Sequence, residues 1–374
     1  MRRATLAIVV VLGWLCTDAH AYPQFQLSRD QMCTSCHLSP AGGGLLNENG
    51  LATAEMMSQL GHAPEFFYGK VPTPKWLTLG GDVRGAAGYL QTPTKSLVGI
   101  PMQIEGYGSA KFDTVTIHAN VGARASTVGN EAATYVWSRE HYLMWQAKPR
   151  DNDGVYVRLG RFMPVYGLRL AEHPAYVRRY GGTPLYADTY ALHGAFVSQR
   201  FEAHVTGFIK DPLIDVVDHS SGGMVYGEFR PNEVTLVGIE GMVKRTVDDT
   251  KFGGGVIGKR LLGSKLLVQA ELQYVSQVIT KSSLNKADGN PLQLIGYVLA
   301  SYFPKDWLMI DVGLGHYDSN IRTRLLDRDC IDLNIHWFVD SHIELIFTNR
   351  YEMLSFGQGG PSGAYSLMQL HYRL

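Results

Sequence analysis

The chain has 374 residues, and its 34 basic and 34 acidic side chains leave no formal net charge at neutral pH. A balanced charge gives no electrostatic basis for binding nucleic acid. Only 18% of the residues are charged, which is scarce for a soluble protein, whereas 41 are glycine and 20 are tyrosine. Beyond the first 21 residues no run of about 18 apolar residues occurs, which excludes transmembrane helices. A closed transmembrane barrel is still compatible with the sequence, because its strands need apolar residues only at alternate positions.

The amino terminus has the features of a cleavable secretory signal. Arg2 and Arg3 precede an apolar run from Leu6 to Leu15, and Ala19-His20-Ala21 supplies small residues at a cleavage site. A signal anchor is the alternative, but this run is shorter than the roughly 20 residues of a membrane span. We therefore expect a signal peptide over residues 1–21 and a mature chain that begins near Tyr22.

The next feature is Cys33-Thr34-Ser35-Cys36-His37, two thiols followed directly by an imidazole. This spacing is typical of c-type haem attachment, in which the thiols form thioethers and the histidine is the proximal iron ligand. A redox dithiol or half of a zinc site are the alternatives, but the only cysteine further along the chain is Cys330. The pattern predicts one covalent haem c bound by Cys33, Cys36 and His37.

Residues 22–74 are predicted to form the haem-binding segment, because they lack the alternation found further along. Gly42-Gly43-Gly44 would let the backbone pass close to a flat macrocycle, or would form a flexible turn. Asn47, Asn49 and Gly50 suit a turn before a predicted helix from Leu51 to Leu60, closed by Gly61. About fifty residues bury little apolar surface alone. We therefore expect the segment to dock in the lumen or at the periplasmic mouth of a barrel.

The second axial ligand of the iron is open at the level of sequence. His62, just after the predicted helix, is the first choice for the distal ligand. Met56 and Met57 are thioether alternatives that would raise the reduction potential, and His173 or an open coordination position are others.

From residue 75 onward the hydrophobic period is two. In Val115–Ala125, Phe201–Lys210, Ile331–Trp337 and the final Met368–Leu374, apolar residues alternate with polar or small ones. The pattern predicts an all-β fold, a transmembrane antiparallel β-barrel of about 16 strands over residues 75–374. A soluble β-sandwich or propeller is the alternative, but no blade-length repeat occurs.

Some residues of this region need a separate interpretation. Residues 160–174, and the tyrosines and arginines that follow them, break the alternation. A surface loop with solvated charges is the ordinary expectation, and a lumen constriction or a contact to haem propionates is the alternative. His118, His204 and His336 fall on the inferred lumen face without metal-ligand spacing, so we expect polar lumen groups rather than ligands. Cys330 shares this face, and without a partner thiol we expect it to be incidental.

In this combination the chain resembles the fused monohaem cytochrome–porin proteins of outer membranes, including those linked to iron oxidation. The resemblance covers the mature chain in architecture, but only Cys33, Cys36, His37 and the stretch Pro40–Gly44 carry it residue by residue. It implies a bacterial outer-membrane protein that passes electrons to or from an extracellular donor or acceptor such as Fe(II)/Fe(III). Neither the metal specificity nor the sixth ligand transfers from it.

Two functions follow as hypotheses. The first is an electron carrier, or a cytochrome that oxidises or reduces extracellular metal, with a soluble periplasmic cytochrome as partner. The second is a substrate-diffusion porin whose haem segment acts as a plug or redox gate. Both place the chain among outer-membrane lipids, and neither involves nucleic acid. An oligomer is compatible with the sequence, which identifies no subunit contact.

Overall fold

The computed structural model describes Leu27 and residues 32–62, 65–91, 95–128, 131–170, 174–184, 187–212, 220–279, 290–323, 327–354 and 363–374. The predicted signal peptide and His173 lie outside these ranges. Neither α-helix within them is long and apolar enough to cross a membrane.

Seventeen antiparallel strands form a single closed sheet. In chain order they are β1 (Leu77–Gln91), β2 (Lys95–Phe112), β3 (Val115–Val128), β4 (Glu131–Trp137), β5 (His141–Gln146), β6 (Gly154–Phe162), β7 (Thr189–Val197), β8 (Phe201–Phe208), β9 (Ser221–Asn232), β10 (Thr235–Arg245), β11 (Asp249–Leu262), β12 (Leu266–Ile279), β13 (Leu292–Lys305), β14 (Leu308–Asp318), β15 (Arg328–Asp340), β16 (Ile343–Leu354) and β17 (Gly363–Arg373). Each strand pairs with the next, except that β4 and β5 both pair with β3 and so share one position. Strand β1 pairs with β17, which closes a barrel of sixteen positions. The predicted barrel of about 16 strands is confirmed.

The side chains alternate across the barrel wall as the period of two requires. In β8, Glu202 and His204 face the lumen and are at most 1% exposed, whereas Val205 on the outer face is 61% exposed. The same parity holds in β3, β15 and β17, where exposed apolar side chains include Ile117, Ile331 and Met368. An apolar outer face and satisfied backbone hydrogen bonds are the requirements of a wall in contact with lipid.

The two ends of the barrel differ in their connections. At one end, called here the short-turn end, most connections have two or three residues, for example 113–114, 233–234 and 341–342. At the other, the long-loop end, β6 and β7 are joined by residues 163–188. Strand β1 begins at the short-turn end, and strand β17 ends there. Outer-membrane barrels have short periplasmic turns and longer extracellular loops.

The sequence also predicts interfacial girdles from aromatics near predicted strand ends, namely Trp76, Tyr89, Trp137, Trp145, Tyr302, Phe303 and Trp307. In the structure, these residues do not all lie on the outer face. Trp76 is 49% exposed and stacks on Phe112 at the short-turn end, as a girdle residue would. Trp137 and Phe303 are buried, and the prediction is wrong for them. The guanidinium of Arg161 lies 5.1 Å from the Trp137 ring centroid, inside the barrel. A strand-end position alone does not specify which face a side chain occupies.

The long connection between β6 and β7 folds into the lumen, and we call its described residues within 163–188 the inward loop. It contains a short helix, α2 (Tyr176–Arg179). The backbone amide of Leu168 donates to the Glu271 carboxylate on β12 at 2.7 Å, and the rings of Tyr180 and Tyr317 stack at 3.9 Å. The expectation of a surface loop is therefore wrong, because the apolar side chains of this loop form much of the buried core inside the barrel.

The amino-terminal segment, residues 32–62, also lies against the barrel. Its helix α1 (Glu48–Met57) begins three residues earlier than predicted, because the Asn47 side chain accepts a hydrogen bond from the Gly50 amide at 3.0 Å. It ends before the predicted Leu60, since from residue 59 the chain turns to the barrel. There the Gln59 amide donates to the Phe338 carbonyl at 2.9 Å.

Candidate functional site

The CxxCH sequence forms one compact turn. Residues Cys33–Ser35 are a single turn of 3-10 helix, and the amides of Cys36 and His37 both donate to the Cys33 carbonyl, at 3.2 and 2.9 Å. Asn47 and Asn49, at the start of α1, donate their side-chain amides to two further carbonyls of this turn. The two thiols and the imidazole are therefore held by one hydrogen-bonded unit.

This unit is inserted into the short-turn end of the barrel. The Arg158 guanidinium on β6 donates to the Ser39 hydroxyl at 3.0 Å. Arg169 of the inward loop donates to the Ala41 carbonyl at 3.5 Å. The amino-terminal segment thus contacts the barrel wall on one side and the inward loop on the other, as expected for a segment too small to fold alone.

Cys33, Cys36 and His37 all line one cavity of about 980 Å³. This volume lies at the upper end of the roughly 300–1,000 Å³ found for small-molecule and cofactor sites. The amino-terminal segment, the inward loop and strands of the barrel all contribute to its wall. Apolar side chains from these elements share the lining, among them Leu45, Leu51, Met57, Leu79, Leu168 and Phe338.

Three glycines form part of the cavity wall beside the cysteines. Gly42, Gly43 and Gly44 have φ values of +78°, +75° and +62°, a left-handed conformation that favours glycine. A Cβ at Gly42 would lie 3.4 Å from the Cys33 sulfur, and one at Gly43 or Gly44 would meet no described atom within 4 Å. The backbone therefore borders the cavity without side chains, as a flat ligand beside it requires.

The protonation state of His37 also suits an iron ligand. Burial, with the nearby charge of Arg373 as the next cause, lowers the pKa of the His37 imidazole to about 4. The ring is therefore neutral at physiological pH, the form that coordinates metals.

The cavity also has a cationic part of its wall. Arg84, Arg169, Lys259 and Arg373 contribute to the lining. Within the described part of the chain, the buried Nε of Arg84 has no hydrogen-bond partner. An unpaired buried donor costs free energy that an anionic group beside it would recover. The cavity therefore fits a c-type haem. It offers two thiols, a neutral imidazole, a glycine wall without side chains, and cations that could bind propionates.

His62 is not among the residues that line this cavity. Its side chain is 60% exposed, and its Nδ1 lies 2.8 Å from the Asp340 carboxylate at the end of β15. The structure thus places the first-choice distal ligand at the barrel rim and does not bring it together with His37. Of the thioether alternatives, Met57 is buried and lines the cavity, whereas Met56 is 73% exposed.

A hydrogen-bonded chain along the cavity wall was not found by sequence reasoning. His371 contacts the carboxylates of Asp82 and Glu344 at 2.5 and 3.1 Å. His336 contacts Glu344 at 3.0 Å and Asp311 at 3.5 Å. Alternation predicts that each of these residues faces inward. Only barrel closure, which makes β1 and β17 neighbours, brings Asp82 and His371 together.

A second polar chain lies inside the barrel beside the inward loop. Arg158 donates to His193 at 3.0 Å, His193 contacts His204 at 2.9 Å, and His204 contacts Glu202 at 2.6 Å. All four side chains are at most 1% exposed. Across the described ranges, no three or more His, Cys, Asp or Glu side chains are arranged to hold a bare metal ion. The four side chains form a buried polar chain in this part of the lumen.

Comparison with known proteins identifies the fold. No family model matches the chain, and no curated protein matches it. Among solved structures, OmpT of Vibrio cholerae is 12% identical, with a TM-score of 0.59, and the match covers 82% of this chain and 100% of OmpT. An anion-selective porin from Comamonas acidovorans is 11% identical with a TM-score of 0.59, covering 80% of this chain and 99% of that one. The outer membrane channel DcaP of Acinetobacter baumannii is 12% identical with a TM-score of 0.55, covering 80% and 97%. The chain therefore has the porin-like β-barrel fold of outer-membrane proteins.

Proposed function

We propose that this chain is an outer-membrane electron-transfer protein that carries one haem c on Cys33, Cys36 and His37. It would move single electrons between the periplasm and an extracellular donor or acceptor. The observation that carries the proposal is that all three residues of the CxxCH unit line one cavity of about 980 Å³ inside a barrel. A CxxCH sequence on a surface loop would have no such surroundings.

The physical logic is insulation. An apolar membrane band about 25 Å tall blocks electrons unless a redox centre lies within it or beside it. The described strands of the barrel pair with their neighbours, which provides backbone hydrogen bonds in lipid, and the CxxCH unit lines a cavity in the lumen. A filled lumen suits this role, because burial excludes water from the centre and helps to set its potential.

The residues of the cavity would each have a defined part. When bound, haem supplies reversible one-electron exchange between Fe(III) and Fe(II). Cys33 and Cys36 would hold the macrocycle through thioethers, and the neutral imidazole of His37 would ligate the iron. Arg84 offers an unpaired N–H to a propionate. Leu168 of the inward loop contributes an apolar side chain to the wall of this cavity.

The two ends of the barrel then face different partners. The short-turn end, which holds the CxxCH unit, would face the periplasm and a soluble cytochrome. The long-loop end would face the extracellular donor or acceptor, with Fe(II)/Fe(III) as the first candidate. Whether the chain acts as a metal-oxidising or metal-reducing cytochrome or as a carrier then depends on which partner supplies electrons.

The direct test is the visible spectrum of the purified outer-membrane protein after addition of Fe(II) and then dithionite. A sharp c-type α band that appears with Fe(II) supports electron flow from extracellular iron. A band that appears only with dithionite keeps the haem but removes Fe(II) as donor, and absence of any band overturns the proposal. Cys33→Ala with Cys36→Ala should lose the covalent haem, whereas Cys330→Ala, the matched control, should keep it.

A substrate-diffusion porin is the second candidate function. Its support is the fold, since the similar solved structures include an anion-selective porin and a channel protein. In this case the amino-terminal segment would be a plug or a redox-responsive gate. Single-channel conductance in planar bilayers separates the two functions, because only a diffusion porin conducts small ions with the segment in place.

A further inference from the structure

His342 lies in the two-residue turn between β15 and β16, at the short-turn end, and lines the same cavity as Cys33, Cys36 and His37. It is 1% exposed. Its ring lies 3.9 Å from that of Tyr68, between centroids. A histidine in a two-residue barrel turn would ordinarily be solvated, so its burial needs an explanation.

The hydrogen bonds of His342 determine its tautomer. Its Nδ1 lies 2.7 Å from the backbone carbonyl of Arg373, at the end of β17. A carbonyl only accepts, so Nδ1 carries a proton, and in the neutral ring the lone pair is on Nε2. Within the described ranges, this buried Nε2 has no hydrogen-bond partner. A ring nitrogen donating to a backbone carbonyl, with the other nitrogen free, is the usual arrangement of a metal-ligating histidine.

The other histidines of the cavity are engaged differently. Both ring nitrogens of His371 contact carboxylates, and so do both of His336. His62 does not line the cavity and is paired with Asp340 at the rim. Besides His37, His342 is therefore the cavity histidine whose contacts leave a nitrogen lone pair for coordination.

We propose that His342 is the distal axial ligand, through Nε2, of the haem bound by Cys33, Cys36 and His37. The inference rests on the proposed haem function. It assigns the sixth ligand to Nε2 of His342 in place of His62, the ligand expected from sequence. His342 lies in a barrel turn 280 residues further along the chain. Two imidazole ligands would give a lower reduction potential than a histidine–methionine pair. Ligation from β15–β16 would also tie the amino-terminal segment to the barrel through the iron.

The test compares His342→Ala with His62→Ala as the matched control, each in the full chain and with covalent haem measured by haem stain. The wild-type protein and H62A should be low-spin and should not bind CO in the ferrous state. H342A should keep its covalent haem, lose the low-spin spectrum and bind CO, and added imidazole should restore the low-spin spectrum.

Several results would overturn the assignment. They are an unchanged spectrum in H342A, loss of the low-spin spectrum in H62A instead, or a wild-type protein that is already high-spin. Magnetic circular dichroism of the wild-type protein gives an independent measurement if H342A does not assemble. A near-infrared charge-transfer band of a bis-imidazole iron supports His342. A band of thioether ligation would instead assign one of the methionines that line the cavity, Met32, Met57 or Met309. Absence of covalent haem from the wild type would instead refute the haem proposal itself.

Discussion

Gly50 lies in the first turn of α1, where the backbone of the CxxCH unit leaves no room for a side chain. A Cβ at this position would lie 2.1 Å from the carbonyl oxygen of Cys36. The first turn of α1 therefore packs directly on the backbone that carries Cys36 and His37. This contact explains why a helix includes glycine where alanine would ordinarily be better by about 1 kcal/mol.

Gly50→Ala should therefore destabilise the amino-terminal segment instead of stabilising its helix. We expect a lower fraction of protein with covalent haem and faster proteolysis of the segment, because the new methyl group separates α1 from Cys36. Ala52→Gly is the control, since Ala52 is exposed on the same helix and its replacement costs only helix propensity. Equal haem content and equal protease resistance in G50A and the wild type would contradict this packing argument.

Arg169 connects the inward loop to the barrel through buried carboxylates. Its guanidinium lies 3.0 Å from Glu202 and 3.4 Å from Glu228, and 4.8 Å from the Tyr226 ring centroid. Arg179 on the same loop forms a more exposed pair with Glu352 at 3.3 Å. The two arginines thus offer a buried and an exposed ion pair within one element.

Arg169→Ala should cost about 1.5–3 kcal/mol, because Glu202 and Glu228 lose a charge-assisted buried contact but keep Arg230 as their cation. Arg179→Ala should cost about 0–1 kcal/mol, because its pair is solvated. Urea unfolding followed by tryptophan fluorescence measures both. Equal stability of the two variants would mean that the inward loop is not held in the lumen by Arg169.

At the scale of elements, the strands could be predicted from sequence, but the positions of the inward loop and of the amino-terminal segment inside the barrel could not. Alternation along Phe201–Phe208 specifies which side chains face the lumen, because the side-chain period of a strand is two. No period marks where the chain goes after β6, so the position of the inward loop depends on contacts to distant strands such as β12. The spacing of its residues identifies the CxxCH unit, but no local pattern identifies His342 and Asp82, which line the same cavity.

At the scale of the whole molecule, barrel closure is independent of the amino-terminal segment. The closing pair runs from Asp82 with Arg373 to Gln91 with Ala364, entirely within residues 77–374. The segment contributes instead to the cavity, through the CxxCH unit and α1. The barrel should therefore fold without the amino-terminal segment, which covers its short-turn end. The effect of the segment can then be measured by removing it.

A chain that keeps the signal peptide but lacks residues 22–74 should still assemble into a heat-modifiable barrel. In planar bilayers it should show stepwise ion conductance, whereas the full chain should show little, because the deletion uncovers the cavity at the short-turn end. The Cys33→Ala, Cys36→Ala protein is the matched control, since it retains the segment without its thiols and should conduct as little as the full chain. Porin-like conductance from the full chain would instead favour the diffusion function, because ions would then pass the amino-terminal segment and the inward loop together.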